Sequence, residues 1–222
     1  MEDYNIVKTD FNEISQLGEL KWNHNNCYFK QLLKFVPNNI ETCLDIGCGK
    51  GELSFMLSQK SKSVIAVDVA DKMIEKAKVL HANNNIKYIC GNILDMKFEN
   101  NSIDVIITTA TAHHLPYEWL LCFAKDKLKE GGKLIILDLA QAESVNDYII
   151  WGSAFLPNIA MNLIKNHRLQ KDDSHSKEVW ERHGKHDTYM TMKEIKFLAE
   201  KHIPTAKIKR KLFWRYSLIW QK

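Results

Sequence analysis

The chain has 222 residues, 45% of them hydrophobic and 26% charged, with a formal net charge of +4. A chain of this length buries roughly 70% of its unfolded surface, so a full core needs no staples and disorder is excluded as the main state. Apolar runs stay short of the roughly 18 residues a membrane span needs, and Met1-Glu2-Asp3-Tyr4 lacks the basic and apolar regions of a leader, so a cytoplasmic protein is expected.

Residues 11–36 read as one helix, with Phe11, Ile14, Leu17, Tyr28, Phe29, Leu32 and Leu33 as apolar positions and Pro37 as the stop. Thr42 to Ile46 is a short apolar run that ends at a glycine cluster. Leu53 to Leu57 starts a helix, and Ser63 to Asp68 is the next apolar run. Met73 to His81 is amphipathic, and Ile86 to Cys90 is extended. Ile103 to Thr109, β-branched almost throughout, reads as a buried strand. Trp119 to Leu128 follows as a helix, Gly131-Gly132 as a break, and Lys133 to Leu139 as another strand.

Short apolar strands alternating with helices predict crossover units on a mostly parallel sheet covered on both faces. Between Gln141 and Tyr189 the alternation fails and polar and aromatic residues mix. Thr191 to Lys201 is a clean helix with Thr191 as N-cap and Glu194 as its capping-box partner. Ala206 to Phe213 and Tyr216 to Trp220 read as a hairpin at the sheet edge. In that reading Leu212 and Trp214 share one face, and Phe213 and Arg215 the other. The expected organisation is a helical cap over 1–40, a Rossmann-like core over 41–140, a cap or lid over 141–190, and a C-terminal helix and hairpin over 191–222 that complete a seven-stranded α/β/α sheet.

Five cysteines (Cys27, Cys43, Cys48, Cys90, Cys122) are widely spaced with no C-x-x-C pair, which predicts free thiols and neither a disulfide framework nor a zinc knot. Residues 193–222 carry nine Lys or Arg against two acids, a net of +7, so the remainder is about −3. A basic segment attracts nucleic acid or anionic substrates, or is simply a solvated face.

The strongest chemical signal is Leu44-Asp45-Ile46-Gly47-Cys48-Gly49-Lys50-Gly51, between a strand and a helix. Three alternating glycines let a backbone turn approach a ligand closely. Asp68, 21 residues past Gly47, ends the next strand, where a carboxylate can accept from ribose hydroxyls. The spacing is G-x-G-x-G behind an acid and not the G-x-G-x-x-G of a pyrophosphate cradle. It suits a phosphate-free ligand that carries a cationic amino acid.

These residues resemble the class I S-adenosylmethionine-dependent methyltransferase family, of the small-molecule, type 11-like kind. Asp45 to Gly51 matches the family's first motif in full, and Asp68-Val69 its ribose-binding acid and neighbour. Gly91 to Phe98 corresponds to the adenine-flanking segment, Asp104 to the acid that opens the fourth strand, His113-His114-Leu115 to the post-strand histidine, and Leu128 to Leu134 to the turn before the fifth strand. Asn92 departs from the usual Asp; it keeps a carbonyl acceptor and loses the charge.

The resemblance implies S-adenosyl-L-methionine as cofactor, S-adenosyl-L-homocysteine as product, and transfer to an O, N, S or C atom of a small molecule. It places cofactor contacts at Asp45, Gly47, Cys48, Gly49, Gly51, Asp68, Val69, Met73, Asn92, Ile93 and Thr109. His113 or His114 is the base if one is used. Trp22, His24, Tyr28, Trp151, His186 and Arg215 are candidates for the acceptor side. His183, His186 and Asp187 have a metal-like composition, but Gly184 stands between the histidines and no metal is expected.

Two alternatives stay open. One is an RNA or protein methyltransferase, favoured by the basic–aromatic segment Lys209 to Trp220. The other is a non-catalytic sensor or scaffold that binds the adenosyl cofactor.

Overall fold

Seven strands pair into one sheet: β1 (Ile40–Ile46), β2 (Ser61–Asp68), β3 (Ile86–Cys90), β4 (Ile103–Thr109), β5 (Leu128–Leu139), β6 (Lys207–Arg210) and β7 (Arg215–Gln221). The computed structural model describes residues 4–18, 21–166 and 174–222, with the backbone alone at 146 and 151. The strand order is β3-β2-β1-β4-β5-β7-β6. β1 to β5 pair in parallel, and β7 runs antiparallel to both β5 and β6.

The two-residue period of the strands sorts their side chains into two layers. Leu44, Ile46 and Ile106 face α5 (Tyr117–Lys127) and α9 (Met192–His202), packing with Leu120, Ala124 and Ile195. Cys43, Val105 and Ile107 face the opposite layer, with Leu32 of α2 (Phe29–Leu32) and Leu53 and Leu57 of α3 (Glu52–Ser58). Both faces are covered, which parallel strands require and which the continuous apolar runs imply. This is the expected seven-stranded α/β/α arrangement. α9 begins with the expected capping box: Thr191 Oγ1 accepts from Glu194 N, and Glu194 Oε2 accepts from Thr191 N. Among the described residues no helix is long and apolar enough to cross a membrane.

Three local expectations are corrected. The helix expected over residues 11–36 is two elements, α1 (Tyr4–Gln16) and the short α2, joined through a 3-10 turn at Asn26–Tyr28. Asparagine side chains hold the backbone between them in local turns: Asn23 Oδ1 accepts from the amides of Asn25 and Asn26, and Asn26 Oδ1 from that of Asn23. At the other end of the chain, β6 stops at Arg210, and Phe213 and Trp214 both have positive φ, 58° and 61°. The alternation expected for residues 212–215 therefore fails in a left-handed turn before β7 starts at Arg215. Thirdly, the Gly131-Gly132 break lies inside β5, which runs through the pair with a register shift against β4 between Ile103 and Val105.

Segment 141–190 contributes α6 (Val145–Ser153), α7 (Phe155–Asn166) and α8 (Ser174–Gly184). α1 lies against α4 (Asp71–Leu80) and α8, and Ile14, Met73 and Val179 are buried together there. Trp22 and Phe213 are buried against Ala154 at the other end of the same face.

Backbone carbonyls press closely on Gly132. A Cβ there would lie 2.8 Å from the Lys129 carbonyl oxygen and 3.1 Å from that of Asp104, both fixed backbone atoms. Gly132→Ala is expected to cost roughly 1–3 kcal/mol, as overpacking does. Chemical denaturation measures it, and a variant as stable as the wild type would show that the bulge yields.

Candidate active site

The sheet reverses direction of growth between β1 and β4, and the crevice beyond the carboxyl ends of such strands is where open α/β sheets bind ligands. A cavity of about 1360 Å³ opens there. β1 delivers Asp45 and the glycine turn, β2 delivers Asp68, and β4 delivers Thr109 and the 3-10 turn Ala112–His114. α1 and the end of α8 wall it on the far side, through residues such as Phe11 and His183.

The glycine turn takes the left-handed backbone that glycine makes cheap, with φ of 73° at Gly47 and 52° at Gly49. At Gly47 a Cβ would collide with Thr111 Oγ1 at 2.0 Å, whereas at Gly49 it would meet nothing within 4 Å. Gly49 thus leaves its backbone open to a ligand. Gly51 does not line the cavity; a Cβ there would fall 2.6 Å from the Tyr88 hydroxyl, so this glycine packs against β3.

Two buried carboxylates bracket the turn. Asp68 Oδ2 accepts from the Gly49 amide at 2.8 Å and Oδ1 from the Ala70 amide at 2.9 Å, tying the turn to the end of β2. Burial pushes its carboxyl up while these amides pull it down. Asp45 takes one hydrogen bond on Oδ2, from Ser54 Oγ at 2.5 Å, and its Oδ1 is buried with no hydrogen-bond partner. Burial lifts Asp45 to about 7 against the counter-effect of Ser54, and Asp68 adds to the rise. A buried acceptor left open beside a bare glycine backbone fits a ligand that brings a cationic donor.

The remaining cofactor candidates are placed as follows. Cys48, Val69, Met73, Asn92, Ile93 and Thr109 line the cavity. Asn92 uses its Oδ1 to cap the 3-10 turn at Ile93–Asp95, accepting from Leu94 N at 3.0 Å. One of its acceptor lone pairs is therefore already engaged within the chain.

His113 and His114 line the cavity and are held by partners that the sequence reading missed. Asp138 of β5, buried at 1%, accepts from His113 Nδ1 at 2.7 Å and from the His113 amide at 2.7 Å. That bond puts the ring proton on Nδ1, while Nε2 stands 3.8 Å from Asp187 Oδ2. Asp187, just after α8, also receives the Tyr189 hydroxyl and stands 3.5 Å from His183 Nε2 and 3.9 Å from His114 Nδ1. Burial, with His113 and His183 beside it, holds His114 down to about 2, so its ring is neutral. A lone acid in the apolar run Ile135-Ile136-Leu137-Asp138-Leu139 was a readable signal for Asp138. No local signal joins Asp187 to residues 113 and 114.

The acceptor-side candidates divide. Trp22, His24 and Arg215 line the cavity. His24 stacks on Phe213 at 4.9 Å and shares a 2.9 Å hydrogen bond with Asn158 Oδ1. Arg215 is buried, with Nε and Nη2 on Asn25 Oδ1 and Nη1 on the Phe213 carbonyl. Tyr28 is not in the wall; its hydroxyl donates to the Leu212 carbonyl. His186 is exposed and also outside the wall. The Trp151 side chain lies outside the described residues.

The chain is similar to known methyltransferases. Residues 44–136 match the family model described as a methyltransferase domain. An uncharacterized methyltransferase of Mycobacterium tuberculosis is 31% identical over 94 residues, 42% of this chain and 48% of that protein. The chain thus spans about half the length of that relative. A ubiquinone biosynthesis O-methyltransferase of Coxiella burnetii is 27% identical over 174 residues, covering 72% of this chain and 74% of the relative. Among solved structures, a Haemonchus contortus phosphoethanolamine N-methyltransferase 2 superposes with a TM-score of 0.64 at 18% identity, covering 93% of this chain and 46% of that one.

Because the carboxyl of Asp45 ionises near 7 when folded and near ~3.9 when unfolded, the folded state alone holds its proton between those values. Stability therefore falls as pH rises through that window and stays lowered above it. Asp45→Asn keeps an acceptor for Ser54 and removes the charge, so its melting temperature is expected to exceed that of the wild type by more at pH 8 than at pH 5. Thermal melts across pH test this; a difference independent of pH would mean that Asp45 is ionised throughout.

Proposed function

We propose that this chain is a class I S-adenosylmethionine-dependent methyltransferase that transfers a methyl group from S-adenosylmethionine to a small-molecule acceptor by in-line displacement. The observation that carries the reading is the pair of buried carboxylates around a glycine turn, one with an oxygen open to a cation. Asp45 with the Gly47 and Gly49 backbone would hold the amino-acid end, Asp68 the ribose, and Asn92 with Ile93 the adenine. Cys48, Val69, Met73 and Thr109 would complete the wall. Gly51 serves by shaping the turn from behind. When bound, the cofactor supplies a methyl already activated by its sulfonium charge.

The protein's own work is then to bind, orient and exclude water. A single drug-sized ligand fills roughly 300–1,000 Å³, so a cavity of about 1360 Å³ has room for the cofactor and a small second molecule. The acceptor's place is the end walled by His113, His114, Asp187 and Tyr189, with Arg215 close to Tyr189 and Asp138 and with Trp22 and His24 also in the wall. There the His113 Nε2 lone pair, aimed by Asp138, activates a protic acceptor; Asp138 is a positioning residue.

The quinone-related and phosphoethanolamine-related methyltransferases among the relatives and structural neighbours support a small acceptor over a macromolecule. Phe213 is buried in a cluster with Trp22, with Trp214 packed against it. The basic–aromatic turn accordingly faces inward, which argues against a stacking surface for RNA.

Calorimetric titration with S-adenosylhomocysteine is expected to give micromolar binding, with NAD inert. Asp68→Ala should weaken it at least about tenfold, the scale of a lost charge-assisted hydrogen-bond pair. Binding of NAD in place of S-adenosylhomocysteine would overturn the assignment of the glycine turn.

A further inference from the structure

Histidines and carboxylates converge at the acceptor end of the cavity in a way that proton transfer alone does not require. His113, His114 and Asp187 each offer a ligand atom, and the three atoms lie within 4.8 Å of one another. Their side chains are buried, at 5%, 6% and 4% exposure. His183 adds a third imidazole, its Nε2 3.5 Å from Asp187 Oδ1.

Three features separate this group from an ordinary buried ion pair. Firstly, His113 is backed by a carboxylate on its far nitrogen, with Asp138 accepting from Nδ1 at 2.7 Å. A carboxylate behind a histidine is the usual outer partner of a metal ligand, because it sets the tautomer and turns the other nitrogen's lone pair outward. Secondly, Asp187 Oδ1 is buried and accepts no hydrogen bond, although Tyr189 serves its other oxygen. A buried carboxylate oxygen in that condition is costly unless a cation takes it. Thirdly, among the described residues the groups paired with Asp187 are Tyr189 and three histidines, with no Lys or Arg. Among the described residues, then, no fixed cationic side chain supplies its neutralising charge.

We propose that His113, His114 and Asp187 form a site for one divalent transition-metal ion in the wall of the cavity. Two imidazoles and a carboxylate are the donor set of Zn²⁺, Fe²⁺, Mn²⁺ and Co²⁺, with bonds of about 2.0–2.2 Å for zinc. The observed spacing needs only a modest contraction to reach them. Three protein ligands leave coordination positions open to the cavity, as catalytic sites do. His183 supports Asp187 from behind.

The site deepens the function proposed above and rests on it for the acceptor's position. A cation held here selects acceptors with a hydroxyl or thiol and lowers their pKa, so that the nucleophile is anionic near neutral pH. With the ion held, His113 Nε2 binds it and no longer serves as the base, so the acceptor's proton leaves to solvent and its lone pair forms the bond to the methyl carbon. The carbon–sulfur bond breaks, leaving the neutral thioether.

The test is metal binding by the full chain, read without turnover. Protein stripped with EDTA and dialysed is titrated with ZnCl₂ and MnCl₂ by calorimetry, and Co²⁺ loading is followed by its visible d–d absorption. One equivalent is expected to bind, with Co²⁺ bands of a nitrogen-and-oxygen site. Asp187→Asn and His114→Gln should each weaken binding at least tenfold. Asp138→Asn should weaken it by about 10–100-fold through its grip on His113. His186→Gln, on the exposed neighbour, should leave it unchanged. Failure of all three ions to bind stoichiometrically while S-adenosylhomocysteine still binds would overturn the metal site and leave the cofactor reading standing. Unchanged metal affinity in Asp187→Asn would overturn it equally. Loss of S-adenosylhomocysteine binding in the wild type would instead strike the reading of the function.

Discussion

The hydrogen bond from the Gly49 amide to Asp68 Oδ2 is the contact on which the architecture of the cavity turns. The chain must leave β1, make a left-handed turn and start α3 without filling the space it encloses. Glycine makes that path available, but glycine alone makes it floppy. A carboxylate at the end of the neighbouring strand closes the turn onto β2 and, through the Ala70 amide, onto the approach to α4 as well. One side chain therefore sets the relative positions of two strands, a turn and a helix start. Because it is buried, each of these bonds works in a low dielectric and is correspondingly firm.

The same logic of carboxylates held behind functional groups recurs across the cavity. Asp138 takes the ring proton and the amide of His113, and Asp10 lies behind His183 while also receiving Arg182. Asp45 has one oxygen served by Ser54 and no hydrogen-bond partner on the other. Asp10 Oδ2, Thr108 Oγ1 and Asp187 Oδ1 are also buried without one. Of these carboxylates, Asp45 and Asp187 line the cavity, where a bound group can take the open oxygen.

Much of the fold was legible because the sheet is buried on both faces. Such strands must be continuous apolar runs, and β3 and β4 appear in the sequence with the bounds they have in the structure. The capping box at Thr191 was legible for a similar reason, since both of its partners sit three residues apart. What failed were places where local pattern and tertiary demand diverge. Apolar spacing continues past Gln16, yet α1 stops there and asparagine side chains fold residues 23–26 into local turns. Gly131-Gly132 looks like punctuation, yet β5 runs on through it, with the Lys129 and Asp104 carbonyl oxygens pressed against Gly132.

The sequence by itself determined the crossover sheet, the glycine turn between β1 and α3, and the acids Asp45 and Asp68, because those depend on residues near one another along the chain. Only the tertiary structure decided that Asp138 stands behind His113, that Asp187 and not His186 joins His113 and His114, and that Gly51 and Tyr28 stay out of the cavity wall. These pairings join segments tens of residues apart. They are set by the packing of α1 and α8 over the strand ends and by the pairing of β5 with β4, and no local periodicity encodes them.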